Sequence, residues 1–192
     1  MTANPFKIIV ITSPEPVENE ASKLTCLLDA GVDFIHIRKP DTLLREVKDL
    51  IENIPFEYRK KLRLHGHFQL VNEMNLAGVH LNGRNPIAPA TALSISKSVH
   101  SIAELDNISD FDYVTLSPIY DSISKVGYKT KFELDKIGKS IKGKRVVALG
   151  GIRPENIQDL KDVGFYGAAF MGYVWNNDFP SAVKNIKVVI GR

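Results

Sequence analysis

The sequence lacks most of the features that announce a special compartment or a special partner. Cys26 is the only cysteine in 192 residues, which excludes an internal disulfide and any cysteine-cluster metal site. No stretch approaches the ~20 apolar residues that a bilayer-spanning helix needs. The opening "MTANPFKIIVIT" has too short an apolar run for a signal peptide and reads better as a first strand. No block of like charge and no basic–aromatic stripe occurs, and the formal net charge is only +3. That balance suits an anionic small molecule and gives no footing for nucleic acid or a membrane surface. With no low-complexity tract or internal linker, residues 1–192 read as a single domain, and the cytoplasm is the expected compartment. Self-association into a homo-oligomer stays open.

What the chain has is alternation. Short β-rich runs fall at roughly 7–12, 33–38, 61–65, 77–81, 94–99, 112–117, 144–149 and 165–171. Between them lie helical patterns. "VENEASKLTCLLDAG" closes on Gly31, and its apolar run places Cys26 as a buried thiol. "DTLLREVKDLIENI" offers Asp41 as an N-cap, and Ser101 with Glu104 forms a capping-box pattern. Strands alternating with helices imply parallel pairing, and eight of them imply a compact α/β fold, the (β/α)₈ TIM barrel. The chain is shorter than the ~250 residues typical of that fold, so the helical layer must be lean. Pro86 and Pro89 leave no room for a full helix between strands four and five. An open doubly wound sheet is the rival architecture.

Barrel chemistry collects at strand C-terminal ends, and those ends carry the unusual residues. His36, His65, His67, His80 and His100 all lie in or just after strands two to five, and Arg38 with Lys39 ends strand two. Side chains alternate along a strand, so His36 and Arg38 share one face, with Lys39 on the other, free to reach solvent. Gly150 and Gly151 follow strand seven and Gly172 follows strand eight, which is where barrels bind phosphate through backbone N–H groups. The polar loop after strand six, with Ser122, Ser124 and Lys125, has the composition of an oxyanion lid. His100 is the candidate general acid/base, since histidine ordinarily titrates near neutrality. The histidines of strands two to four also admit a transition-metal site, a hydrolase reading, although no acidic residue accompanies them and His67 is placed to point away.

The ordered motifs "DFIHIRK", "AGVHLNGRN", "SKSVHSIAEL", "DYVTLSPIYDSISK", "VVALGGI" and "GFYGAAFM" resemble the thiamine phosphate synthase and thiazole tautomerase family of small barrels, from about Ile8 to Val174. The resemblance implies work on a thiazole phosphate in thiamine biosynthesis. Synthases of this family join a pyrimidine diphosphate to a thiazole phosphate, release pyrophosphate and use Mg²⁺. Tautomerases move a proton to make a thiazole carboxylate phosphate aromatic and use no metal. The synthase pattern has Asn-Asp after strand three and an Asp after "VHL"; here His65-Gly66 and Asn85 stand there. Gln-x-Arg-x-Lys on strand two becomes His36-Ile37-Arg38-Lys39-Pro40. Ser122, Ser124 and Lys125 match the synthase loop, whereas His100 matches the tautomerase proton-transfer residue. These departures favour the tautomerase, with His100 and Arg38 catalytic, His36, Ser122, Ser124, Lys125, Gly150, Gly151 and Gly172 holding substrate, and no cofactor. The synthase, with Mg²⁺, is the alternative, and a thiazole-phosphate binder without turnover a lesser one.

Overall fold

Strand parity decides which side chains fill this barrel and which face its helices. The computed structural model describes residues 6–92, 94–121 and 132–191. Eight strands run in chain order: β1 (Lys7–Ile11), β2 (Phe34–Ile37), β3 (Leu62–Leu64), β4 (Gly78–Leu81), β5 (Ile95–Val99), β6 (Tyr113–Leu116), β7 (Val146–Leu149) and β8 (Gly167–Phe170). Each pairs in parallel with the next, and β8 returns to β1 with Lys7 opposite Gly167. The sheet is closed, which overturns the open doubly wound alternative.

Outward-facing positions are almost wholly apolar. Ile8, Val10, Ile35, Ile37, Leu62, Leu64, Val114, Leu116 and Val146 are all buried beneath the helices. Burying each such side chain contributes roughly 1.5–3 kcal/mol. The helices that cover them are α1 (Glu20–Asp29), α2 (Leu44–Glu52), α3 (Leu70–Glu73), α4 (Leu134–Ile141), α5 (Ile157–Val163), α6 (Gly172–Trp175) and α7 (Phe179–Ile190). Among the described residues only a bridge between Asn82 and Asn85 and turns join β4 to β5. A single 3-10 turn, Ala103–Asn107, joins β5 to β6. The layer is lean, as the length demands. No helix among the described residues is long and apolar enough to cross a membrane.

Three local expectations need correction. Cys26 is exposed: α1 buries Leu24, Leu27 and Leu28, and the 3.6-residue repeat turns position 26 outward. Asp41 does not cap α2, which starts at Leu44; the Leu43 N–H is taken by Glu46 Oε2 at 3.0 Å, and Asp41 pairs with Arg84 instead. Lys39 faces the helices as parity requires but does not reach solvent. It is 8% exposed and meets Glu20 of α1 at 2.7 Å. The Ser101–Glu104 pattern does close a turn, with Ser101 Oγ donating to Glu104 Oε1 at 2.9 Å, but the turn is 3-10.

The barrel interior is divided. Ile9, Ile11, Val147 and Ala169, with Tyr113 and the partly buried Phe34, Leu149 and Met171, make an apolar side. Across from it, strands β2 to β6 point His36, Arg63, His65, His80, Ser96 and Thr115 inward, all buried. Polar groups at such positions must find partners inside the protein.

Candidate active site

The polar side of the barrel is built upward from Arg63. This residue is 2% exposed and is the middle residue of β3. Its guanidinium donates to Val79 O at 3.1 Å and to Ser94 Oγ at 2.6 Å, lies 3.5 Å from Asp112 and covers the Tyr113 ring. Above it, His36 Nε2 meets Tyr113 Oη at 2.5 Å, and His36 Nδ1 meets His65 Nε2 at 2.9 Å. His80 stacks on His65 with ring centroids 4.2 Å apart, and its own nitrogens meet Ser96 Oγ at 2.8 Å and Ser98 Oγ at 2.9 Å. One ring nitrogen from each of the three histidines lies within 4.8 Å of the other two.

All three rings are neutral near pH 7. Burial is the main cause of lowering in each, and the Arg63 charge adds to it. His65 is lowered to about 3, with Arg38 the larger charge acting on it, and His36 and His80 are lowered well below 6.5. Burial pushes Tyr113 up to about 12, so its phenol keeps its proton. A neutral imidazole has one N–H and one lone pair. The chain Tyr113–His36–His65 therefore carries its protons in one of two directions, and in each both links have one donor and one acceptor.

At the mouth, Thr12 pins the ends of β1 and β2 together. Arg38 N donates to Thr12 Oγ1 at 2.9 Å, and the Thr12 hydroxyl donates to Arg38 O at 3.2 Å. Arg38 stands partly exposed beside the buried His65. His36, fully buried, supports His65 from below. The two loop positions where synthases carry acids do come together, since Asn85 Nδ2 donates to His65 O at 2.8 Å, as does Asn82 Nδ2. What they present, however, is amide N–H donors and a carbonyl already used twice. Residues 122–131 contain no Asp or Glu. Mg²⁺ prefers carboxylate and water oxygens, so these donors do not fit a Mg²⁺ held by protein acids at that place.

His100 follows β5 and is exposed, with Nδ1 3.2 Å from Ser117 Oγ and 3.3 Å from Ser117 O. The two lie where β5 and β6 end, and among the described residues no direct hydrogen bond joins them to the buried histidines. Gly150 and Gly151 follow β7 with φ of 95° and 66°. The loop after β6 crosses them closely: Ile119 N donates to Leu149 O at 2.9 Å and Tyr120 N to Gly150 O at 3.0 Å. A Cβ on Gly151 would lie 2.3 Å from Asp121 O. The glycines thus let two strand-end loops stack, and α5 begins only at Ile157, so they are not its N-terminus. Gly172 opens α6 directly after β8, and Trp175 of that helix donates to Ile11 O at 2.7 Å, closing over the end of β1. Ser122, Ser124 and Lys125 lie outside the described residues, and His67 turns away to bond Thr42 O at 2.9 Å.

Sequence reasoning passed over Arg63, Tyr113, Ser96, Ser98 and Thr12. Parity was the signal available, since Arg63 shares a face with His65, and Ser96 and Ser98 share one with each other.

Residues 8–174 match the thiamine monophosphate synthase family (TMP-TENI). The chain belongs to this family. Among thiamine monophosphate synthase relatives, the thiamine-phosphate synthase of Limosilactobacillus reuteri is 28% identical, with 95% of each chain covered. That of Flavobacterium psychrophilum is 24% identical over 91% of this chain and 93% of its own. A solved thiamine phosphate pyrophosphorylase from Bacteroides thetaiotaomicron is 33% identical and superposes with a TM-score of 0.85, covering 96% of this chain and 95% of that one. The relatives named here are synthases, and none is a tautomerase. They support the synthase expectation over the favoured tautomerase one.

Proposed function

We propose that this protein is a thiamine-phosphate synthase, a transferase that joins a hydroxymethylpyrimidine diphosphate to a thiazole phosphate and releases pyrophosphate. The observation that carries this reading is the full-length likeness, at 33% identity, to a thiamine phosphate pyrophosphorylase. The site agrees with it in charge. Arg38 stands at the mouth beside neutral His65, and the Asn82 and Asn85 amides next to it are donors. Such a rim suits a diphosphate.

In the coupling, the bond from the pyrimidine methylene carbon to the diphosphate oxygen breaks, and that carbon bonds the thiazole nitrogen. The leaving oxygen gains negative charge as it departs. We assign the binding of that charge to Arg38, with Lys125 of the polar loop as its expected helper. Charge-assisted hydrogen bonds of this kind are roughly twice as strong as neutral ones. The thiazole phosphate is assigned to the loops after β7 and β8, at Gly150, Gly151 and Gly172. The buried histidines hold the mouth residues in place and keep the interior polar without adding charge.

A second reading rests on His100. An exposed imidazole against Ser117 is able to move a proton, as a thiazole tautomerase requires. Assaying both reactions in parallel separates the two. Pyrophosphate release that requires both substrates supports the synthase. Conversion of a thiazole carboxylate phosphate tautomer without any pyrophosphate release supports the isomerase instead.

A further inference from the structure

The three buried histidines do more than fill the barrel. We infer that His36, His65 and His80 form a binding site for one borderline transition-metal ion, Zn²⁺ in the first instance, with a coordination position left for an anion. This is a different site chemistry from the carboxylate-bound Mg²⁺ that the family implies and that the donors at the mouth do not fit.

The hydrogen-bond pattern identifies the ligand atoms. Ser96 Oγ lies 3.3 Å from Val79 O and 2.8 Å from His80 Nδ1; with the hydroxyl proton given to Val79 O, the His80 Nδ1–H donates to Ser96. That leaves His80 Nε2 with its lone pair on the interior side, 2.9 Å from Ser98 Oγ. Tyr113 Oη accepts equally well from His36 Nε2–H, which frees His36 Nδ1 toward His65 Nε2. Two of the three rings thus have their far nitrogen fixed by a hydroxyl, the outer support that metal-bound histidines almost always show. Ligand nitrogens on a tetrahedral ion, with bonds of about 2.0–2.1 Å, are about 3.3 Å apart. His36 Nδ1 and His65 Nε2 are 2.9 Å apart already, and all three donors lie within 4.8 Å. The third ring needs to close by about 1.5 Å at most, within the reach of side-chain rotation.

Donor type selects the ion. Three imidazoles with no carboxylate suit Zn²⁺, Co²⁺, Ni²⁺ or Cu²⁺ and not Mg²⁺ or Ca²⁺. Three protein ligands leave the open fourth position of a reactive zinc. Burial keeps the rings unprotonated, so the metal does not compete with protons near neutral pH. Arg38 and Arg63 oppose a dication here. An anion in the fourth position offsets that repulsion, and for this site inorganic pyrophosphate is the natural probe. Metal and anion should therefore bind cooperatively.

The test needs no turnover, so it stands apart from the proposed reaction. Untagged full-length protein is stripped with chelator, dialysed, and titrated with Zn²⁺ against a chromophoric zinc chelator, with and without pyrophosphate. Co²⁺ substitution is followed by visible absorption. The expected result is one Zn²⁺ per chain, tightened by pyrophosphate, and an intense tetrahedral-type Co²⁺ spectrum. His80→Gln, which keeps a polar side chain in the interior, should weaken Zn²⁺ about 100-fold or more, beyond what loss of an outer partner costs. His67→Asn should leave it unchanged. Absence of stoichiometric binding to the wild-type protein in both conditions overturns the inference, and that outcome does not depend on any variant folding. So does binding that survives His80→Gln or disappears with His67→Asn.

Discussion

Lowering the pH of the chelated, metal-free protein from 7.5 to 5 should remove a large part of its stability, and the histidine cluster sets how much. In the unfolded chain each ring protonates near its ordinary value of about 6.5. In the fold, His65 resists protonation down to about 3, and His36 and His80 are also lowered well below 6.5. Below pH 6.5 the unfolded chain therefore binds more protons than the native one, and stability falls as pH falls. It is fully present above pH 6.5 and is lost progressively down to about pH 3 for His65. At pH 5 the loss depends only on the unfolded value, provided the native rings are still neutral. It comes to RT ln(1 + 10^1.5), about 2 kcal/mol for each ring. Three independent rings give about 6 kcal/mol, against a total of roughly 5–15 kcal/mol for an ordinary domain. Glu20, whose pKa burial raises, works weakly in the opposite direction. Urea unfolding at a series of pH values measures the slope. Near pH 5 it should approach about 4 kcal/mol per pH unit, three protons' worth, and His80→Gln should reduce it by about one third. A stability that changes by less than about 1 kcal/mol over this range would show that the rings are solvated or charged in the native state, and the buried-cluster account would fail.

Other perturbations probe the mouth of the barrel. Gly151→Ala places a Cβ 2.3 Å from Asp121 O at a φ of 66°; thermal unfolding should show a loss of about 1–3 kcal/mol, and an unchanged Tm would refute the stacked-loop geometry. Arg38→Met should weaken pyrophosphate binding about tenfold or more in calorimetry while leaving the unfolding midpoint nearly unchanged, since charged hydrogen bonds carry about 1.5–3 kcal/mol. His100→Asn should leave coupling within about threefold of wild type if the protein is a synthase, whereas a proton-transfer role predicts a loss of about 10²–10⁴-fold in tautomerisation.

Much of this fold could be read from the sequence because most strands have a sharp outward apolar face bounded by polar turns. Lys7–Ile11 and Val146–Leu149 pack their alternate residues under helices, and prolines 86 and 89 showed that the layer between β4 and β5 would be thin. The site was less legible. Parity places His36, His65 and His80 inside the barrel, but only closure and register bring three different strands' rings to one point. Arg63 was overlooked because attention to strand ends passes over a charge inside a strand, where Ser94 and Asp112 receive it. Cys26 and Lys39 show the converse limit. A local apolar run does not reveal which way a helix faces, and a lysine at a strand's end does not reveal the glutamate waiting on α1.

The central claim is the coupling reaction, and product analysis tests it most directly. Purified protein is incubated with hydroxymethylpyrimidine diphosphate and thiazole phosphate, and thiamine phosphate and pyrophosphate are quantified in the same samples. The account predicts both products in a one-to-one ratio, with neither formed when one substrate is left out. Failure to form thiamine phosphate, from protein shown to be folded and to bind pyrophosphate, would contradict it.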